Sequence, residues 1–307
     1  VVVREDDTEE TLKEKVRTAT ILGTWQSTLT NFKYLNKKWK ENCEEERLLG
    51  VSMTGIMDCV TTNGKLPSHG AGGRPVRGLS QVLQALKQVA IETNAQWAKK
   101  LDINPSAAIT CVKPSGTVSQ LVDSASGIHA RHSEYYIRTV RADKKDPLAK
   151  MMKDVGFPCE DDVTKPNHTS VYSFPVKGPK NGVYRKDMTA VEQLELWKIY
   201  QDNWCEHKPS VTISVKEDEW MDVGAWVYKH FDQMSGVSFL PYADHTYRQA
   251  PYQDCTKAEY EKLVKKMPKD IDWEVKLAEY EHHDQTAGSQ ELACSSDGCE
   301  IVDLVSA

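Results

Sequence analysis

Between residues 79 and 240, stretches whose apolar residues recur at helical spacing alternate with short apolar runs, and this alternation is what most restricts the fold. From Leu79 to about Leu101, the positions Val82, Leu83, Leu86, Val89, Ala90 and Trp97 approximate helical spacing, which predicts one long helix with a buried face, stopped by Pro105. Ala107 to Val112 reads as a short buried strand, followed by the tight loop Lys113-Pro114-Ser115-Gly116-Thr117-Val118-Ser119 and a helical pattern through Asp123. Further strands are predicted at Tyr135 to Val140, Ser170 to Val176, Ser210 to Val215 and Val237 to Leu240. Helices near Asp146 to Val155, Thr189 to Trp204 and Glu217 to Phe231 separate them. Helices interleaved with short strands predict an α/β architecture.

On the N-terminal side, Thr8 is positioned to cap a first helix carrying Leu12, Val16 and Ala19 on one face and running on through Leu22. Amphipathic stretches follow from Leu29 to Asn42 and from Glu44 to about Cys59, and Thr61 to Gly78 reads as a long loop. Beyond Pro241 the pattern weakens to helices at Lys257 to Lys266 and Trp273 to His282. The expected organisation is one large unit over 1–283 and a flexible tail over 284–307.

Composition excludes several classes. With 39% hydrophobic and 27% charged residues, the chain is neither disordered nor fibrous, and its net charge of −6 argues against a polymeric nucleic-acid surface. No run approaches the ~20 apolar residues of a membrane span, and the opening Val1-Val2-Val3-Arg4-Glu5-Asp6-Asp7 is not a signal peptide, so a cytoplasmic location is expected. The initial valine suggests processing or a truncated reading frame. Of eight cysteines, Cys43, Cys59, Cys111, Cys159, Cys205 and Cys255 are scattered, as in a reduced cytosolic protein. Cys294 and Cys299 stand apart as a closely spaced pair near the chain's end.

Three groups of residues bear on chemistry. In Pro114 to Ser119, a strand turning through Ser-Gly-Thr into a helix leaves backbone N–H groups unpaired and lets an anion approach small side chains. Ser115, Thr117 and Ser119 add hydroxyls and Lys113 adds charge. The loop lacks Walker A spacing, and a plain helix cap is the alternative. Cys294-Ser-Ser-Asp-Gly-Cys299, on a polar tail, suits disulfide exchange, half of a metal site with His282 and His283, or two inert thiols. Gly127-Ile128-His129 with Arg131 and His132 places titratable groups after the loop, either as phosphate donors or as structural residues on a turn. Trp197, Trp204, Trp220 and Trp226 read as core, and Asp58, Glu217 and Glu219 as solvated faces or helix N-termini.

Taken together, these pieces resemble one family. Gly23-Thr24-Trp25-Gln26-Ser27-Thr28-Leu29-Thr30-Asn31-Phe32, Glu46 to Gly55, Val112 to Ser119 leading to Ser126-Gly127-Ile128-His129, Ser238-Phe239-Leu240-Pro241 and the Cys294/Cys299 pair are similar, in order, to the C-terminal part of adenosylcobalamin-dependent (class II) ribonucleotide reductases. The resemblance implies the C-terminal portion of a ten-stranded α/β barrel with a flexible tail. It further implies adenosylcobalamin as cofactor, a ribonucleotide substrate (a triphosphate, from the tail spacing), and thioredoxin or a similar dithiol reductant. Pro114, Ser115, Gly116, Thr117, Val118 and Ser119 would bind substrate phosphates, and Cys294 and Cys299 would be shuttle thiols. No metal site is implied.

The family's Asn-Pro-Cys-Gly-Glu and Cys-Asn-Leu segments, which hold the radical cysteine, a catalytic glutamate and a reducing thiol, are absent from this sequence and would lie before Val1. So would the effector-binding region. The chain alone is therefore expected to be inactive and to require that N-terminal portion as a partner, and Cys43, Cys59 and Cys111 lack the neighbours of a radical site. Tyr242 and Tyr247 form no assignable radical-transfer pair, which leaves the oxygen-dependent class I enzymes as the alternative within the same chemistry. The alternative outside it is a non-catalytic module binding nucleotide phosphate or metal.

Overall fold

The computed structural model describes residues 1–65, 78–242 and 247–282. Elements below are numbered in chain order. The chain divides into two compact units, Val1–Glu134 with Lys177–His245, and Tyr135–Val176 with Thr246–Ala307, of which the described residues are meant throughout.

The first unit is a row of parallel strands joined through helices. Helix α1 (Glu9–Gln26) starts at Thr8 in a reciprocal cap with Thr11, and buries Leu12, Val16, Thr20 and Thr24 at four-residue intervals on one face. The two buried hydroxyls donate back to Val16 O at 2.8 Å and Thr20 O at 2.7 Å, so neither is left unpaired. Helix α2 (Lys37–Glu46) is polar and buries nothing.

The predicted helix from Glu44 to Cys59 does not form. Arg47 takes a left-handed conformation at the end of α2 and Gly55 another at φ 84°. Between these two breaks lies strand β1 (Val51–Ser52), and after them a short 3-10 turn, Ile56–Asp58. Likewise the stretch from Leu29 to Leu35 is non-helical, and α2 begins only at Asn36, whose side chain caps it.

Helix α3 (Leu79–Leu101) holds its predicted face, with Val82, Leu83, Leu86 and Ala90 buried, and leads to β2 (Thr110–Cys111). Strand β1 pairs with β2 in parallel, Val51 against Thr110 and Ser52 against Cys111, and Val2 makes a parallel bridge to Thr54 on the other side of β1. The short helix α4 (Val118–Leu121) follows β2. Helix α6 (Ala190–Asn203), β6 (Ser210–Val215), α7 (Trp220–His230) and β7 (Gly236–Pro241) complete the row, β6 and β7 pairing in parallel over six residues. The Ser210 N–H donates to Val112 O at 2.9 Å and so joins β6 to the end of β2. β6 buries alternate residues, and β7 is partly exposed.

The core of this unit is aromatic. Trp197, Trp204 and Tyr200 are fully buried, and their polar tips are satisfied by Pro209 O, Cys111 O and Thr62 O at 3.2, 2.8 and 2.8 Å. Trp226 joins them, whereas Trp220 is 41% exposed and belongs to the surface.

The second unit is a four-stranded sheet in the order β4-β5-β3-β8, made of β3 (Tyr135–Asp143), β4 (Cys159–Asp161), β5 (Thr169–Lys177) and β8 (Tyr252–Asp254). β4/β5 and β3/β8 are antiparallel pairs. Helix α5 (Pro147–Asp154) begins on an Asp146 cap with proline in its first turn, and α8 (Lys257–Val264) and α9 (Trp273–Ala278) complete the unit. Its small core gathers Ala149, Phe157 and Tyr172, with Phe157 against the Trp273 ring at 5.8 Å. Strands β4 and β8 are three residues each and carry no apolar alternation, which is why the sequence pattern does not reveal them. No described helix is long and apolar enough to cross a membrane.

Candidate functional site

The loop after β2 is the best-constructed candidate, and its geometry separates groups that build it from groups left outward. Val112 is fully buried, whereas Pro114, Gly116, Thr117 and Val118 are exposed. The Ser115 N–H donates to Ser126 Oγ at 2.9 Å, and Ser119, fully buried, donates its hydroxyl to Ser115 O. Both serines therefore hold the loop's shape. Among the described residues, the backbone N–H groups of Gly116, Thr117, Val118 and Ser119 have no acceptor. The Thr117 hydroxyl is likewise unengaged and exposed.

The segment that returns beneath the loop is locked from three sides. Asp58, 2% exposed, receives the Ala125 N–H at 2.8 Å and the Arg131 guanidinium at 2.7 and 3.1 Å. Arg131 also donates to the carboxylate and carbonyl of Asp123 at 2.9 and 2.8 Å. Asp58 is thus a buried ion-pair partner and not a solvated face, because its cation lies 73 residues away in sequence. Gly127, at φ 54°, passes so close under the loop that a Cβ there would sit 2.8 Å from Lys113 O.

His129 closes the third side. It accepts the Thr212 N–H at Nε2, 3.0 Å away, so its proton lies on Nδ1, which donates to Ser126 O at 3.0 Å. Burial pushes its pKa below the ordinary histidine value, a hydrogen bond to Ser126 opposing this in part. The ring is a neutral strut between β6 and the loop, with no nitrogen left for a phosphate or metal. Lys113 turns away from the loop, its ammonium donating to Lys208 O at 2.7 Å and Ser210 Oγ at 2.9 Å.

Other candidates are placed as follows. Cys59 and Cys111 are buried and Cys205 partly so, and burial raises the pKa of the Cys111 thiol and, to about 12, that of Cys205, which keeps these two thiols protonated. Glu219 accepts the N–H groups of Lys216 and Ala190 at 2.9 and 3.1 Å, a capping role. Cys294, Cys299 and His283 lie outside the described residues. Among the described residues, no group of three or more His, Cys, Asp or Glu side chains is arranged to hold a metal. A cavity of about 480 Å³ opens beside the buried pair, lined in part by Arg4, Glu5, Asp123 and Lys180 with charges of both signs. A second, of about 560 Å³, lies at the turn before α2, away from the loop.

No family model matches the chain. It is 28% identical over 298 residues to an adenosylcobalamin-dependent ribonucleoside-triphosphate reductase of Euglena gracilis, covering 95% of this chain and 38% of that protein. It is 30% identical over 242 residues to the enzyme of the same description from Lactobacillus leichmannii, covering 73% of this chain and 32% of that protein. A crystal structure of a B12-dependent (class II) ribonucleotide reductase matches with a TM-score of 0.74 at 24% identity, over 87% of this chain and 39% of that one, which shows the fold. The chain thus spans about a third of the length of these relatives.

Proposed function

This chain is a relative of the adenosylcobalamin-dependent ribonucleotide reductases over most of its length, and from that premise we propose that it supplies the substrate-phosphate site and the tail thiols for reducing ribonucleoside triphosphates to 2′-deoxyribonucleotides. The observation that carries the reading is the run of three exposed residues, Gly116, Thr117 and Val118, whose N–H groups are unpaired among the described residues and which sit on a base held by Ser115 and the buried Ser119. Successive backbone donors of this kind form a concave anion site without any side-chain cation. Within Pro114 to Ser119, the N–H groups of Gly116, Thr117 and Val118 and the Thr117 hydroxyl are the ligating groups, and Ser119 is buried beneath them. The Ser115 and Ser119 side chains fix their positions. Gly116 supports the same reading, because a Cβ there would meet nothing within 4 Å. The loop does not need glycine to fold; the bare Cα keeps the approach to the N–H groups open.

Cys294 and Cys299 act as the shuttle, their two thiols reducing a disulfide at the reaction centre and becoming a disulfide that thioredoxin or a similar dithiol restores. Adenosylcobalamin, when bound, supplies the radical that starts the reaction. No described residue is assigned to hold it, His129 having both ring nitrogens engaged within the protein.

Calorimetric titration of the chain with CTP and with inorganic triphosphate tests the phosphate site. Gly116→Val is expected to lower both affinities at least about tenfold with an unchanged Tm, since the side chain fits the free loop and blocks the ligand. Unchanged binding in Gly116→Val would overturn the reading. In the full reading frame that encodes this chain, cobalamin-dependent reduction supported by thioredoxin should vanish in Cys294→Ser, while dithiothreitol still sustains it.

A further inference from the structure

The phosphate loop meets the strand beside it at two hydroxyls, Ser52 Oγ, which accepts the Lys113 N–H at 3.1 Å, and the buried hydroxyl of Thr54, which lies outside the loop. Thr54, 7% exposed, lies two residues past β1, in the backbone that bridges to Val1–Val3: its N–H donates to Val1 O at 2.9 Å and its carbonyl accepts from Val3 N–H at 2.8 Å. The side chain faces the loop. Its Oγ1 donates to Ala125 O at 2.9 Å, accepts the Gly127 N–H at 3.0 Å, and lies 2.9 Å from Ser115 Oγ. A hydroxyl has one proton to give, and Ala125 O takes it, so Ser115 is the donor in the last contact. One oxygen thus reaches the loop's first serine and both ends of the Ala125–Gly127 return, whose ends are also held by Gly55 N–H to Ala125 O at 2.7 Å and Ile56 N–H to Gly127 O at 3.3 Å.

We infer that Thr54 is a positioning residue for substrate phosphate: it sets the register of the Gly116–Val118 N–H row through Ser115 and Gly127, without touching the ligand. The inference rests on the phosphate reading of the loop. Its physical basis is that outward donors stabilise an anion only when they are aimed before it arrives, because reorienting them on binding subtracts from affinity. Ser115 N–H donates to Ser126 Oγ and Ser115 Oγ to Thr54 Oγ1, so two bonds restrain the serine that precedes the exposed donors. Valine at position 54 keeps the shape of threonine but leaves the Gly127 N–H and the Ser115 hydroxyl without their buried partner.

The test is titration of the full chain with inorganic triphosphate, with Thr54→Val, Thr54→Ser and Thr62→Val compared at a temperature where all remain folded. Thr62 is the control for general core damage: it is fully buried in the same unit and its hydroxyl donates to Ile56 O at 2.7 Å and Cys59 O at 3.2 Å, not to the loop or to Thr54. The expected result is an affinity about tenfold weaker in Thr54→Val, within about twofold of the original in Thr54→Ser, and unchanged in Thr62→Val. Equal affinity in Thr54→Val and the original chain would overturn the inference while leaving the phosphate site standing. So would equal losses in Thr54→Val and Thr62→Val. Failure of the original chain to bind triphosphate would instead bring down the phosphate reading, and this inference with it. Should Thr54→Val not fold, Ser126→Ala carries the same test, since it removes the other tether on Ser115: a several-fold loss supports positioning and undiminished affinity overturns it.

Discussion

Each unit buries a carboxylate and sets an arginine beside it, yet the two pairs are built differently. In the first unit Asp58 is 2% exposed and Arg131 5%, and the guanidinium reaches across the fold to hold Asp58 and both polar groups of Asp123. In the second, Asp162 is 2% exposed but the Arg141 side chain is 41% exposed. Asp162 takes its other bonds from its own turn: the N–H groups of Thr164 and Lys165 at 2.8 and 2.9 Å, and the Thr164 hydroxyl at 2.5 Å. The first arrangement is long-range and stops working if either partner leaves. The second is local and survives the loss of its arginine. A loop that leaves its N–H groups free has few bonds of its own, here Ser119 Oγ to Ser115 O, so most of its rigidity has to come from distant residues.

The sharpest test of that contrast is Arg131→Met. Removing one member of a fully buried pair strands the other charge, a loss of about 3–5 kcal/mol. Urea unfolding should register it, and amide exchange at Ser115 and Gly127 should accelerate together. A loss no greater than that of an exposed pair would show that burial does not distinguish the two arrangements.

The pH response separates the units next. His129 has its pKa lowered by burial, so it stays neutral when folded and takes up a proton on unfolding as the solution is acidified. Its contribution is therefore complete above its ordinary value near 6.5 and is lost as pH falls below it, at no more than about 1.4 kcal/mol per pH unit for one proton. Exchange at the loop amides should quicken over that range, and His129→Gln should flatten the step. A loop indifferent to pH between 6.5 and 5 would remove His129 from the scaffold.

This local-versus-distant distinction also governs how much the sequence revealed. Thr8 and its helix, the long face of α3, and the strand–loop–helix at residues 110–121 were legible because each is set by neighbours within a few positions. Asp58 read as solvated because its partner is 73 positions away. Thr54 and Ser126 lay within stretches the family resemblance marked, but their holding of Ser115 did not show, since a hydroxyl residue in sequence reveals nothing about what it faces. The helix expected through Leu48, Leu49 and Met53 failed on backbone grounds: Arg47 and Gly55 take positive φ on either side of it, and the apolar residues between serve a parallel strand. In the loop itself the residue types were readable, but which of them point outward depends on who holds Ser115.

The smallest effect expected is that of Arg141→Gln, and it tests the local arrangement. Because Arg141 is partly solvated, its loss should cost no more than about 1 kcal/mol, in the range of exposed pairs. The Asp162 pKa is held far below the usual carboxylate range, first by the Thr164 hydroxyl and then by the Lys165 N–H, with Arg141 contributing less. A carboxylate depressed in the folded state contributes stability that is complete above its unfolded value near 4 and is lost as pH falls from there toward the folded value. That acid-induced loss, read by amide exchange at Thr164 and Lys165, should persist in Arg141→Gln and shrink in Thr164→Ala. If removing the arginine abolished the acid step, Asp162 would depend on its distant cation as Asp58 does, and the distinction between the two units would collapse.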